Sequence, residues 1–309
     1  MIVFSDPISI IINNTCNLTC SNCGSNNQYN YRGVYNWLDY AEHFREWQKK
    51  IDFVEINIVG GEPFLHTDLA TWAIELKKLW PNALVSVDTN GTLLGLEKNV
   101  HVARTLLEND IKLMVFWHTA HDINRGEVFL NKILEPYDIE IVVEDGYQVG
   151  TTRNIYYEVH SQNVLAELGL TDRYFPSTIK EIKNGIVYLD DTDDIQASHD
   201  VCHYATDCVS IQCGLMYKCT LPMTYANSKD QFTYEERVRP LLDQYKACSP
   251  FWEYNKIKQF IENLKNPIPQ CRFCAFDKRA GSKDCTIPVT FDKSLKKIPT
   301  VNLASANEY

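Results

Sequence analysis

The residues in this 309-residue chain best equipped to do chemistry are three cysteines close together, Cys16, Cys20 and Cys23. They follow the apolar, β-branched run Ile8 to Ile12 with the spacing C-x3-C-x2-C, so three thiols share one loop at the end of a predicted strand. A structural zinc ion wants four protein ligands. No further Cys or His comes before His43, which falls in a helical pattern. Three thiolates instead suit a four-iron cluster with one iron open to a small ligand, whereas a purely electron-carrying cluster normally has every iron held by protein. Eight further cysteines stand at Cys202, Cys208, Cys213 and Cys219, at Cys248, and at Cys271, Cys274 and Cys285. Eleven is an odd number, and Met1 opens no basic-then-apolar leader, so a cytoplasmic location is expected and metal ligation is the leading reason for so many thiols.

Composition narrows the partners. With 45% hydrophobic and 23% charged residues the chain reads as globular, and its formal charge of −10 would repel a phosphate backbone, which disfavours nucleic acid. The longest apolar runs fall far short of the roughly 18 residues that span a bilayer, so no membrane is expected.

The elements that must position the first thiols lie between Cys23 and Cys202, where β-branched runs alternate with amphipathic helical patterns in the rhythm of parallel βα units. Strands are predicted at Ile8 to Ile12, Phe53 to Val59, Leu84 to Asp88, Lys112 to Trp117, Ile139 to Val143 and Ile155 to Val159. Leu38, Ala41, Phe44, Trp47 and Ile51 form one helical stripe, with Glu42, Arg45 and Lys49 on the wet side. Thr67 is placed to cap a second helix whose Leu69, Ala73, Leu76 and Trp80 share a face and which Pro81 ends. Further helices are predicted at Glu97 to Asn109, Asn124 to Leu134 and Ser161 to Leu168. Lys183-Asn184-Gly185-Ile186 reads as a hairpin turn, and a domain boundary is expected near residue 195. Beyond it, helices are predicted at Tyr234 to Ala247 and from Pro250 to Leu264, the latter burying Tyr254, Ile257, Ile261 and Leu264.

Val59-Gly60-Gly61-Glu62-Pro63 closes the second strand about forty residues after the cysteine loop, and Phe64-Leu65-His66-Thr67-Asp68-Leu69 continues it. Together with C-x3-C-x2-C this resembles the radical S-adenosylmethionine (radical SAM) enzymes. The resemblance implies an α/β fold, a partial (β/α)6 TIM-like barrel over residues 1–195, whose open iron binds the amino and carboxylate groups of SAM. Gly60 and Gly61 would let the backbone approach the methionine part, Glu62 would accept from an ammonium group, and Pro63 completes the motif. Asp88-Thr89-Asn90-Gly91 is similar to the family's strand-end Thr-Asn-Gly, which makes Asn90 a cofactor contact or a plain turn residue. Trp117-His118-Thr119-Ala120-His121 ends the fourth strand where members have a polar SAM contact, to which Thr119 or His118 corresponds.

The later cysteines resemble the twitch and SPASM extensions of that family, in which Cys202, Gly214 and Cys219 form an opening C-x(9–15)-G-x4-C and Cys271-Arg272-Phe273-Cys274 adds a C-x2-C pair. The residue six past Cys274 is Ala280, which breaks the longer SPASM run. The resemblance implies a smaller domain over 196–309 with one auxiliary 4Fe–4S cluster on Cys202, Cys219, Cys271 and Cys274. Cys208 is a rival ligand, Cys285 could serve a second partial cluster, and zinc also suits four thiolates.

The function implied is reductive cleavage of SAM to a 5′-deoxyadenosyl radical, hydrogen abstraction, and an oxidative or bond-forming change in a peptide or small metabolite. An electron donor such as a flavodoxin or ferredoxin is a further expected partner. Modification of a nucleoside or tRNA is the alternative, and a non-catalytic Fe–S or zinc scaffold is the third reading. His118, Glu144 and His160 stand at or after strand ends, and none is assigned as the catalytic acid or base.

Overall fold

In a computed structural model the chain is described except at residues 19–22, 28–32, 117–127, 129, 138–139, 145–152, 160–161, 169–178, 201, 203–208 and 275–309. Strand β1 (Ile2–Phe4) opens the chain and β2 (Ile8–Ile11) follows at once. Next come α1 (Trp37–Gln48), β3 (Ile51–Phe53), β4 (Glu55–Val59), α2 (Leu69–Leu79), β5 (Leu84–Thr89), α3 (Glu97–Glu108) and β6 (Lys112–Phe116). Then β7 (Glu140–Glu144), β8 (Arg153–Val159) and β9 (Gln162–Leu168) form a run of strands, and β10 (Glu181–Lys183) and β11 (Ile186–Tyr188) a hairpin. The remainder holds α4 (Ile195–Asp200), β12 (Ser210–Gln212), β13 (Leu215–Tyr217), α5 (Thr220–Ser228), β14 (Thr233–Tyr234), α6 (Arg239–Asp243) and α7 (Tyr254–Glu262). Among the described residues no helix is long and apolar enough to cross a membrane.

The fold is α/β with a mostly parallel central sheet, in the order β13-β12-β2-β4-β5-β6-β9-β8-β7. β2, β4, β5 and β6 run parallel as adjacent neighbours, so the loops that follow them emerge from one end of the sheet. One sheet face is aliphatic: Ile8, Ile10, Ile56, Ile58, Val85, Val87, Leu113 and Val115 are all at most 1% exposed. They pack into one core with α1, α2 and α3. Trp72 of α2 meets Trp37 and Phe44 of α1 edge-on at 5.1 and 5.4 Å, joining those helices through large apolar surfaces.

The other face carries polar side chains at β4 and β5. Ser86 lies near Asn57 Oδ1 (2.9 Å) and Asp88 Oδ1 (3.1 Å). Burial pushes the Asp88 carboxyl up to about 7, Ser86 pulls it back only in part, and Glu55 adds repulsion.

Several sequence expectations change. A helix is expected over Ser161 to Leu168, and its described residues, Gln162–Leu168, form strand β9 instead. Its seven residues each pair with β8, and it also borders β6, so two neighbouring strands outweigh a weak helical pattern. The same pairing makes β7, β8 and β9 an antiparallel meander and not two further parallel βα units. In α1 the stripe is Trp37, Ala41, Phe44 and Trp47; Leu38 is 85% exposed, and Ile51 belongs to β3. Asp68, not Thr67, stands at the N-cap of α2, without a side-chain bond. The expected helix from Tyr234 contracts to Arg239–Asp243, because Tyr234 pairs as a strand with Val187. The last helix starts at Tyr254 and not at Pro250, and Tyr254 is exposed. The Asn184-Gly185 hairpin is present, with φ of 54° and 77°.

A second tight hairpin joins β12 to β13 through Cys213 (φ 52°) and Gly214 (φ 74°). β12 pairs in parallel with β2, so chain beyond residue 195 extends the central sheet. Gly214 has no room for a side chain, since an added Cβ would lie 2.5 Å from the His43 ring. Its carbonyl accepts the Trp47 indole N–H at 3.0 Å.

Two outcomes follow in solution. Gly214→Ala meets both a positive φ and the His43 ring, whereas Gly185→Ala meets only its φ of 77° in open space. Gly214→Ala should therefore lose about 1–3 kcal/mol in urea unfolding, and more than Gly185→Ala. For Asp88 the folded pKa lies above the unfolded one, so its favourable contribution is complete below about pH 4 and is lost as pH rises through about 7. Asp88→Asn should flatten the decline in thermal stability between those limits; an unchanged slope would show that the carboxyl is not desolvated.

Candidate functional site

Three strand ends meet in a knot of hydrogen bonds at the mouth of the parallel strands. Residues 13–15, just past β2, lead into the cysteine loop; Gly60 to Pro63 follow β4; Thr89 to Thr92 close and follow β5. The Gly61 N–H donates to both the backbone and side-chain oxygens of Asn13 at 3.0 Å, and the Glu62 N–H donates to the Thr15 carbonyl at 2.8 Å. Asn13 returns a bond from Nδ2 to the Glu62 carbonyl at 3.1 Å. A Cβ on Gly60 would lie 2.3 Å from Asn13 Oδ1, and one on Gly61 2.1 Å from the Thr15 carbonyl oxygen. Both glycines are thus demanded by the backbone that carries Cys16.

Glu62 is 0% exposed and its carboxylate is fully engaged. Oε1 accepts from Thr89 Oγ1 at 2.6 Å and from the Phe64 N–H at 3.0 Å, and Oε2 accepts from the Asn90 N–H at 2.8 Å. Burial pushes this carboxyl up, and the three donors oppose that push. The bond to Phe64 also caps a 3-10 turn, Pro63–Leu65, in which Pro63 occupies the first position.

Asn90 is buried beside the cysteine loop. Its Nδ2 donates to Asn17 Oδ1 at 3.0 Å and lies 3.9 Å from Cys16 Sγ, while its Oδ1 accepts from the Thr92 N–H at 3.0 Å. Asn17 completes the link by donating to Thr92 Oγ1 at 2.7 Å. The Leu18 N–H reaches Cys16 Sγ at 3.4 Å. Burial pushes the Cys23 thiol up, and backbone N–H groups of Asn27, Ser25 and Asn26 pull it down. Backbone donors around a sulfur favour its thiolate, the form that binds metal. Cys20 and Thr119, with His118 and His160, lie outside the described residues.

A second group of thiols comes together elsewhere. Cys202, Cys219, Cys271 and Cys274 line one cavity with Ser198, His199, Lys218, Leu221 and Gln270. They arrive from three local elements. Cys202 follows α4, its N–H bonded to the His199 carbonyl at 3.0 Å; Cys219 is the N-cap of α5; Cys271 lies in a 3-10 turn, Pro269–Phe273, which Cys274 closes. Ser198 Oγ donates to the Cys271 carbonyl at 2.9 Å and so ties α4 to that turn. Burial pushes the Cys219 and Cys274 thiols up, and the nearness of the other cysteines adds to the rise. Among the described residues no three His, Cys, Asp or Glu are gathered so as to hold a single metal ion.

Cys213 and Cys248 are not part of this group. Cys213 is the hairpin residue, with Sγ near Asn227 Oδ1 at 3.5 Å, and Cys248 sits in the main core with its backbone bridged to Met216. Cys208 and Cys285 lie outside the described residues.

The two cysteine regions are joined by α5. Asn26, three residues past Cys23, donates to Thr224 Oγ1 at 3.2 Å, and Thr224 stands five residues along the helix line from Cys219. At 1.5 Å per residue that is roughly 7.5 Å of rise.

Sequence reading missed Asn13, Asn17, Thr89, Lys218 and His199. Thr89 was visible as the neighbour of Asn90. Asn13 and Asn17 flank Cys16, and polar amides around a ligand loop are the one local hint of their role. Nothing in the local sequence marks Lys218, adjacent to Cys219, as buried.

Residues 10–144 match the model of the Radical SAM superfamily. Among solved structures, BtrN in an open conformation aligns at 16% identity over 88% of this chain and 91% of its own, with a TM-score of 0.41. BtrN in complex with AdoMet and 2-DOIA aligns at 27% identity over 38% of this chain and 47% of its own, with a TM-score of 0.32. Native anSMEcpe with bound AdoMet and Cp18Cys peptide aligns at 19% identity over 41% of this chain and 40% of its own, with a TM-score of 0.31. In the last two alignments the chain spans less than half the length of its neighbour. No protein of curated function matches the sequence. The family match covers all three strand ends that Glu62 and its neighbours join, so residues 10–144 are similar to a radical SAM domain, and that similarity supports an enzyme of this type.

Proposed function

We propose that Cys16, Cys20 and Cys23 hold a 4Fe–4S cluster whose fourth iron takes SAM. Residues 1–195 would form a partial (β/α)6 barrel around it, and residues 196–309 a smaller twitch/SPASM-like unit with one auxiliary 4Fe–4S cluster on Cys202, Cys219, Cys271 and Cys274. When bound, the open-iron cluster and SAM supply a 5′-deoxyadenosyl radical that takes a hydrogen atom from a substrate C–H bond.

The observation that carries the first part is Glu62, whose carboxylate holds the Asn90 loop while the Gly61 and Glu62 backbone N–H groups grip the backbone leading to Cys16. Gly60 and Gly61 let the motif's backbone close on Asn13 and Thr15, Pro63 fixes the exit of the motif, and the Asn90 amide lies against Cys16 Sγ. Thr119, at the end of the next strand, is the further cofactor contact in this reading. The polar sheet face bearing Asn57, Ser86 and Asp88 is the surface offered to substrate.

The second part is supported by the four-thiol cavity and by α5, which runs from Cys219 toward the loop after Cys23. A second redox centre linked to the first through α5 suits a substrate that must lose or relay an electron. The reaction class is therefore an oxidative or bond-forming modification of a peptide or a small metabolite, with an electron donor such as a flavodoxin or ferredoxin. The charge of −10 argues against a nucleic-acid substrate.

Protein reconstituted anaerobically with iron and sulfide should bind about eight irons per chain, in two clusters of about four. The reduced protein should convert SAM to methionine and 5′-deoxyadenosine. Cys23→Ala should abolish that conversion, while Cys219→Ala should lower iron to about four and retain it. A wild-type chain with about four irons and one zinc would remove the auxiliary cluster from the proposal.

Glu62→Gln places an amide nitrogen where one carboxylate oxygen accepts, donor against donor with the Asn90 N–H or with Thr89 and Phe64. Loss of a charged, buried acceptor costs about 1.5–3 kcal/mol, so SAM cleavage should fall about tenfold or more in a chain with a lowered melting temperature. Wild-type cleavage by Glu62→Gln would show that the carboxylate does not set the geometry of this site.

A further inference from the structure

The cavity formed by the four later cysteines contains a charge that the chain itself leaves unanswered. Lys218 is 3% exposed, and its Nζ has no hydrogen-bond partner among the described residues. An ammonium removed from water without a partner costs several kcal/mol, and proteins normally pair or neutralise such a group. No carboxylate lines the cavity; the ionisable groups there besides Lys218 are His199 and the four thiols. His199 is 9% exposed, its Nε2 has no hydrogen-bond partner among the described residues, and its Nδ1 lies 3.5 Å from Asp200 Oδ1 outside hydrogen-bond geometry. Thr220 Oγ1, one residue past Cys219, is likewise buried without a partner. Unanswered polar atoms on two residues that line one cavity, Lys218 and His199, mark a site built for a group with acceptor atoms and negative charge.

Four thiolates around an iron–sulfur core supply both. The core carries a net negative charge and exposes sulfide and thiolate acceptors, and one-electron reduction adds one further negative charge. A fixed cation at contact range stabilises the more negative state more strongly, because the attraction scales with the charge it meets and is little screened in a buried site. We propose that Lys218 is the built-in countercharge of the auxiliary cluster and raises its reduction potential, with the His199 ring as a second polar contact to the same group. This rests on the auxiliary-cluster reading above and extends it: the cluster is poised to receive an electron. Lys218 is a positioning residue in this sense and takes no part in bond making.

The test uses the full chain with Cys16, Cys20 and Cys23 replaced by Ala, so that one cluster remains and its electron paramagnetic resonance signal is unambiguous. Iron and sulfide are first measured in this parent; if it holds zinc or no cluster, the auxiliary-cluster reading fails, and that failure is separate from the one below. With the cluster present, a dithionite titration of Lys218→Met, a neutral side chain of similar length, should show the reduced-to-oxidised ratio at a fixed potential falling about tenfold, a shift of about 59 mV to lower potential for a one-electron couple. Lys218→Arg, which keeps the charge, should stay near the parent. Loss of iron and sulfide in Lys218→Met but not in Lys218→Arg would support the same countercharge by showing that the cluster needs it to stay bound. A full cluster with an unshifted potential in Lys218→Met would overturn the proposal. So would equal loss of the cluster in both variants, because the requirement would then be for shape and not for charge.

Discussion

A carboxylate shut away from water is the constraint from which the rest of the site follows. Glu62 is entirely buried and answers three donors from two different strand ends, Phe64 beside it and Thr89 and Asn90 across the sheet. A buried acidic side chain is costly unless fully satisfied, so the arrangement is all or nothing: either the loops after β4 and β5 stand where they do or the carboxylate is stranded. The backbone of the same motif grips residues 13 and 15, and the loop bearing Cys16 is thereby held to the frame. The side chain expected to receive the cofactor's ammonium is thus bonded inward in the structure, and its neighbours Gly60 and Gly61 leave no space between the two loops.

Parallel strands make such convergence possible. Because β2, β4, β5 and β6 share a direction, their following loops leave the sheet at one end, and residues more than seventy positions apart, such as Cys16 and Asn90, come within 3.9 Å. The later part of the chain reaches the same end by a different device. β12 adds to β2 in parallel, the hairpin at Cys213 and Gly214 turns the chain back, and α5 begins at Cys219 and meets Asn26 in its middle. Gly214 belongs to this device through its positive φ and its contact with His43, so the glycine of the C-x(n)-G-x4-C pattern has a mechanical purpose apart from any metal.

The aliphatic face of the sheet was legible from residue types, because alternating or continuous β-branched runs such as Ile56 and Ile58 or Val85 and Val87 have few other stable uses. Errors fell where local pattern competes with distant pairing. Gln162–Leu168 carries no strong strand signal and becomes a strand because both of its neighbours offer backbone partners. Tyr234 leaves a helical stretch because Val187 offers it a bridge. Leu38 and Tyr254 look like members of buried stripes and are exposed, since periodicity says which residues share a face and does not say how wide a strip the neighbours cover.

For the chemistry, spacing along the chain was enough to nominate ligands: three thiols within eight residues on one loop, a glycine pair with an acid after a strand, and four later cysteines in two pairs. Those are local properties, and local geometry constrains them directly. Only the tertiary structure decided that Cys202, Cys219, Cys271 and Cys274 face a common cavity while Cys213 and Cys248 do not, that Glu62 turns inward to Thr89 and Asn90, and that Lys218 is enclosed among thiols. Burial and the choice of hydrogen-bond partner are set by what the rest of the chain brings alongside, and a residue's own neighbours in sequence carry no record of that.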